Sequence, residues 1–384
     1  MLASMLTTMA VLSASLFSQV SQDHLKVTLQ EFATYPTRNT SSPGLRKAAE
    51  WVAAEFRKIP GLQVEIMEYD IKKGRRVPED KTVVQVVATL PGETDRKIMV
   101  GGHLDTINLS GDPLTAIAPG VNDDGSGVAL TIESARILAQ KKWRNTLVFI
   151  AFSGEEQGLF GSTALAERAK KEGWHVDAVL SNDTVGSSMA AGVKDKKRVR
   201  LYSEEVIDPK LPPHNSRELA RFIEWNSRGK LGGFAPWLVF RKDRFQRGGD
   251  HTPFNKLGFN AVRFVEAVEW LEHQHTEKDT LEWIDFTYLA NVTKMNILTM
   301  ETLAQADDAP TDVRYDPKQA HDTTIHWKAK PGVKYTVYWR ETSSPTWQGA
   351  IEVGETDHVV VKRKNKDDHT FAVGAVGGIP IALN

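Results

Sequence analysis

From Ser42 to Phe56 the apolar residues Leu45, Ala48, Ala49, Val52 and Phe56 recur at helical spacing, with Ser42 as a cap and Pro43 in the first turn. The period then changes. Residues 62–67, 82–90 and 97–101 read as strands, the second closed by the turn pair Pro91-Gly92. Helical spacing returns over 127–139 through Val128, Ile132, Ala135 and Leu138, and residues 146–152 form the continuous apolar run of a strand buried on both faces. Beyond it the pattern predicts a helix over 162–171, strands over 178–180 and 199–202, a helix over 216–225, strands over 237–240 and 261–265, and a closing helix over 286–304. Such alternation predicts an α/β fold: a mixed, mostly parallel twisted sheet with helices on both faces.

The two ends follow other patterns. Residues 5–20 are apolar but interrupted by Thr7, Thr8, Ser13, Ser15 and Ser18, too short and too polar for a membrane span. They read either as a first amphipathic helix running from about Ser4 toward Phe32 with a cap-like break at Ser21, or as a leader without a basic start, with Ser13-Ala14-Ser15 as its cleavage site. At 305–309 charge and proline replace the helical period, as in a linker between a large domain (1–304) and a small one (310–384). In the small domain short alternating runs at 323–328, 335–340, 358–362 and 370–376 predict a β-sandwich. The runs Thr324-Ile325-His326-Trp327 and Tyr335-Thr336-Val337-Tyr338-Trp339-Arg340 resemble strands B and C of a fibronectin type III module. His369 stands where that family often has its corner tyrosine, and little chain follows Pro380, so a minimal or frayed last edge is expected.

Composition narrows the function. Lysine and arginine number 48 against 49 acids, a net charge of -1 that gives no field to steer nucleic acid and favours a small or peptide-like substrate. With no cysteine, disulfides and thiolate chemistry are excluded, and any metal must be held by histidine and carboxylate. Those residues gather at the ends of predicted strands, in Gly101-Gly102-His103-Leu104-Asp105, Gly120 to Gly127, Ser153-Gly154-Glu155-Glu156 and Ser181-Asn182-Asp183. Alone, each acid or histidine would read as solvated or packed. An adjacent Glu155-Glu156 pair closing a buried strand, however, is costly to desolvate without a cation.

A pair of divalent ions needs nitrogen and oxygen ligands at each, a bridging carboxylate and a free carboxylate to move a proton. His103 and Asp183 can hold one ion, Glu156 and a late histidine the other, with Asp123 bridging, Asp105 accepting the second N–H of His103, and Glu155 left as the base. His103-Leu104-Asp105, Gly120-Val121-Asn122-Asp123-Asp124-Gly125-Ser126-Gly127, Gly154-Glu155-Glu156, Asn182-Asp183 and His275-Thr276-Glu277-Lys278-Asp279-Thr280 resemble, in order, the M28 family of zinc aminopeptidases that includes the bacterial leucyl aminopeptidases. The resemblance covers about residues 30–304. It implies two Zn2+ ions, a peptide substrate, Asp123 as bridge, His275 rather than His273 as the last ligand, Glu155 as general base, and a cis Asp123-Asp124 peptide. It also places His251 near the substrate pocket. The tyrosine that steadies the oxyanion in well-known members has no counterpart here, since no tyrosine occurs between Tyr202 and Tyr288.

Three rivals share parts of this pattern. Zinc carboxypeptidases and aminoacylases have a similar ligand order but carry an inserted lid, and no clear lid stands out here. Glutaminyl cyclases use most of the same acids with one zinc. A non-catalytic ectodomain on a peptidase fold would not need the intact ligands and base. The fibronectin-like resemblance implies a secreted or periplasmic setting.

Overall fold

The computed structural model describes residues 15–205, 208–243, 248–318 and 320–383. A 3-10 turn, Leu16–Gln19, precedes α1 (Gln22–Phe32), whose cap Ser21 accepts the His24 N–H through its hydroxyl. The first helix is therefore interrupted before Ser21 and begins anew after it, and the part expected over residues 4–14 lies outside the described residues. Then follow α2 (Pro43–Arg57), β1 (Gln63–Ile71), β2 (Lys81–Leu90), β3 (Thr94–His103), α3 (Gly125–Leu138), β4 (Asn145–Phe152), the single turn α4 (Glu155–Gly158), α5 (Phe160–Lys171) and β5 (Val176–Asn182). A small hairpin of β6 (Met189–Ala190) and β7 (Val193–Lys194) leads to β8 (Arg198–Tyr202), α6 (Ser216–Ser227), β9 (Ala235–Val239), α7 (His251–Lys256), β10 (Ala261–Glu266) and α8 (Phe286–Gln305).

Eight strands form one mixed sheet in the order β1-β2-β4-β3-β5-β10-β8-β9. The central strands β4, β3, β5 and β10 run parallel, and β1, β2 and β8 enter by antiparallel pairings. Strand β4 shows why its sequence is unbroken apolar. Leu147, Phe149 and Ala151 enter the larger core with α1, α2, α3, α6 and α8, while Val148, Ile150 and Phe152 enter the smaller core with Leu165, Ala166 and Ala169 of α5 and Phe254 of α7. Strand β3 lies between β4 and β5, so the chain leaves it first to one side and then crosses to the other. That reversal is the switch point where open α/β sheets place ligands, at the carboxyl ends of the strands. Among the described residues no helix is long and apolar enough to cross a membrane.

The remaining strands are β11 (Thr311–Tyr315), β12 (Thr323–Lys328), β13 (Tyr335–Glu341), β14 (Gly349–Gly354), β15 (His358–Val361), β16 (His369–Ala375) and β17 (Ile381–Ala382). They pair antiparallel as β11-β12-β15 and β14-β13-β16-β17, with Ile325, Trp327, Tyr335, Val337, Phe371 and Val373 between the sheets. The last edge strand has two residues. The ring Nδ1 of His369 lies 3.2 Å from the Asn365 carbonyl oxygen. Helix α6 seats this sandwich: Trp225 meets Tyr338 edge to face at 5.9 Å, Trp347 is fully buried beside Tyr338, and Arg221 and Arg228 donate to the carbonyls of Pro345 and Trp347 at 2.9 and 3.0 Å.

Candidate metal centre

Two glycines make the site possible. A Cβ on Gly102 would fall 2.5 Å from the Gly127 carbonyl carbon and 2.6 Å from Asp124 Oδ2, so only glycine lets the start of α3 press against β3. Gly154 turns the chain out of β4 in the left-handed region, φ 73°, and delivers Glu155 and Glu156 to the strand end. The Asp124 carboxylate ties the loops together, accepting the N–H groups of His103, Gly127 and Thr184 at 2.8, 2.9 and 3.1 Å. The Asp123-Asp124 peptide is cis.

His103 Nε2 lies 3.2 Å from Asp123 Oδ1 and 3.6 Å from Asp183 Oδ1. His275 Nε2 lies 2.9 Å from Glu156 Oε1 and 3.3 Å from Asp123 Oδ2. The two oxygens of Asp123 thus face different histidines. His103, Asp123, Glu156 and Asp183 are buried, and His103 Nε2 makes no hydrogen bond. Ligand atoms of His103, Asp123 and Glu156, and likewise of His103, Asp124 and Asp183, converge within 4.8 Å. Burial alone would lower the pKa of His275, but hydrogen bonds to Asp123 and Glu156 outweigh it and push the ring up to about 11. Acids that draw protons so strongly onto a neighbouring imidazole form a cation site. An oxygen-and-imidazole donor set without sulfur fits zinc.

Asp105 acts differently from the expectation. The Nδ1 of His103 meets the backbone oxygen of Asp105 at 3.0 Å, while the nearer carboxylate oxygen stands at 3.8 Å. The carboxylate instead accepts the N–H groups of Glu155 and Glu156, both at 3.1 Å. It therefore positions Glu155 and Glu156 at the strand end, and the tautomer of His103 is set by a carbonyl. Burial pushes Glu155 well above the usual carboxylate range; His103 opposes this and Asp183 and Glu156 add to it.

His273 lies apart from this cluster and stacks on Trp270 at 4.0 Å with Trp283 at 4.5 Å. His275 reaches the acids from a left-handed backbone, φ 59°. His251, expected beside the substrate, is fully buried with Nε2 3.2 Å from Glu204 Oε1, so it contacts the protein interior rather than the cleft.

Three residues support the site, of which Arg263 and Arg38 escaped the sequence reading and Asp279 stood in it only as part of the His275 motif. Arg263 on β10 is buried and holds Asp183 Oδ2 at 2.7 Å, its other side paired with Asp243. Asp279 accepts the N–H groups of Asn122 and Asp123, both at 2.8 Å, and burial pushes it up to about 7. Arg38, wholly buried, donates to the carbonyls of Leu104 and Gly120 at 2.6 and 2.8 Å, pinning both ends of the loop between His103 and Asp123. The one available signal was Asp279, which closes the His275 motif; a lone arginine in an apolar strand or turn carries none.

Peptidase family M28 matches residues 85–300, a span that contains His103, Asp123, Glu155, Glu156, Asp183 and His275. The chain belongs to this family. As an M28 peptidase it is a hydrolase of peptide bonds, with a peptide as its substrate. A protein of Leptosphaeria maculans named as a probable zinc metalloprotease is 32% identical over 403 residues, covering 94% of this chain and 93% of the relative. The aminopeptidase from Aneurinibacillus sp. strain AM-1 superposes with a TM-score of 0.56 at 20% identity, over 74% of this chain and 95% of that one. Porphyromonas gingivalis glutaminyl cyclase does so with 0.59 at 20% identity, over 76% and 100%. At such identities these likenesses concern the fold.

Proposed function

We propose that this M28 peptidase is an aminopeptidase working with two zinc ions. The observation that carries this reading is the split environment of Asp123, whose two oxygens face His103 and His275 separately. His103 and Asp183 would hold one ion, Glu156 and His275 the other, and Asp123 would bridge. When bound, such ions polarise the scissile carbonyl and acidify a water. Glu155, presented by the Asp105 carboxylate and raised in pKa by burial, would serve as the base that takes a proton from the attacking water and returns it to the leaving amine. Arg263 keeps Asp183 ionised and fixes its orientation.

Glu155→Gln should lower turnover of a free-amine peptide by at least about 100-fold, the lower end of what general-base catalysis contributes, with zinc content equal to wild type. Retained turnover would remove Glu155 from the role. The rival reading is a glutaminyl cyclase, supported by the likeness in fold to that enzyme. Cyclisation of peptides with N-terminal glutamine, by protein holding one zinc, would favour it. We further assign the C-terminal sandwich to the fibronectin type III type, supported by its three-plus-four antiparallel strands and by His369 bonding back to Asn365. A secreted or periplasmic location accompanies that assignment.

A further inference from the structure

The connection between β1 and β2 reaches over Glu155 and Glu156. Its tip is closed by Gly74 and Val77, which exchange backbone hydrogen bonds at 2.9 and 3.3 Å, and its base is fixed by Asp80, which holds Lys72 Nζ at 2.9 Å and the Lys73 N–H at 2.7 Å. Val77 is buried, so this tip is anchored rather than free. Between the tip and α4 lies a cavity of about 250 Å³ lined by Arg75, Arg76, Val77, Glu155, Glu156 and Gln157. At about 30 Å³ per water that is room for about eight waters, which suits one amino-acid residue and no larger element.

The lining is built for an anion on its hairpin side. Arg76 Nη1 donates to the Glu156 carbonyl, which fixes its guanidinium at the cavity wall. Arg75 is exposed and makes no hydrogen bond or ion pair with the described residues. Gln157 is only 8% exposed, and both its amide oxygen and its amide nitrogen lack partners. A buried amide with neither group satisfied is costly in a finished protein and is explained when a ligand completes it. Two guanidinium groups beside a free amide N–H match a carboxylate, which arginine binds through paired parallel hydrogen bonds. The same charges repel the amino terminus of a peptide. The portion of substrate on this side of Glu155 and Glu156 is then the one that carries the anion.

We propose that this cavity is a subsite for a carboxylate on the leaving portion of the peptide. Two sources present that group: the C-terminus of a dipeptide, or an acidic side chain next to the scissile bond. The inference rests on the aminopeptidase reading above and adds a preference to it.

Three substrates separate the sources: Leu-Leu, Leu-Leu amide and Leu-Glu amide. For wild-type enzyme KM for one or both carboxylate substrates should be about tenfold below that of Leu-Leu amide, the effect of one hydrogen-bonded charge. In Arg75→Gln and in Gln157→Leu that ratio should fall toward one. Preference for Leu-Leu alone identifies the C-terminus, and preference for Leu-Glu amide alone identifies the side chain. An equal KM for all three in wild type, or a ratio that survives Arg75→Gln, overturns the proposal. If none of the three is cleaved, the aminopeptidase reading fails, and calorimetric binding to Glu155→Gln protein decides the subsite. Tighter binding of Leu-Leu or Leu-Glu amide than of Leu-Leu amide, lost on adding Arg75→Gln, supports it; equal binding overturns it.

Discussion

At the carboxyl ends of β3, β4 and β5 the residues Asp105, Asp123, Asp124, Glu156 and Asp183 are buried together with His103, and Thr184 and His275 adopt left-handed backbone beside them. Beyond α8 the chain builds a different interior, in which Ile325, Trp327, Tyr335, Val337, Phe371 and Val373 pack between two antiparallel sheets. The first region buries charge that folding alone would expel and holds a β-branched residue at φ 61°, whereas the second follows pattern and burial throughout its core. Where local rules are broken in concert, and Arg38, Arg263 and Asp279 are spent supporting the breach, the compensating gain is a ligand.

The comparison predicts that the two regions fail in different ways. Asp123→Asn should have the largest effect. It removes the carboxylate facing both histidines, so zinc affinity should fall by more than the 10- to 100-fold typical of a lost outer partner, while the thermal transition of the sandwich stays in place. Elemental analysis after dialysis would check it, and an unchanged metal content would refute the bridging role. Trp347→Ala should do the reverse, costing about 3–5 kcal/mol at the contact with α6 and leaving zinc content unaltered. Denaturant titration followed by fluorescence would measure this, and simultaneous loss of metal would show the two regions to be one cooperative unit.

The smallest effect concerns Glu204, behind the site. Burial raises its pKa, but the neighbouring His251 ring and the hydrogen bond from Thr252 prevail and hold it below the ordinary 4.5. A depressed folded pKa gives stability that is present above about pH 4.5 and is lost as pH falls through the folded value. Glu204→Gln should therefore lower stability at pH 7, and the gap to wild type should narrow toward pH 3. Unfolding curves at the two pH values would reveal a constant gap if the account is wrong.

Much of this was legible in the sequence because its causes are local. Strand β4 is apolar at every position since both its faces are covered, and Ser42-Pro43 starts α2 by capping and ring geometry alone. The buried cluster stood out because acids and a histidine recur at strand ends. Strand β14, Gly349–Gly354, was invisible, for its half-exposed residues carry no alternation of burial. Arg263 looked like one polar position in an apolar strand, because Asp183 meets it only when β10 pairs with β5. Asp105 was misassigned for a related reason. Two residues after His103 it seemed the natural acceptor, yet its own backbone carbonyl took that bond and freed the carboxylate for Glu155 and Glu156.

The central claim, a zinc aminopeptidase at the carboxyl edge of this sheet, is tested most directly by hydrolysis of aminoacyl anilides beside their N-acetylated counterparts, with chelator and with zinc added back. The account predicts release of the anilide only from free-amine substrates, loss of activity on chelation and recovery with zinc. Equal cleavage of the acetylated substrates, or activity untouched by chelator, would contradict it.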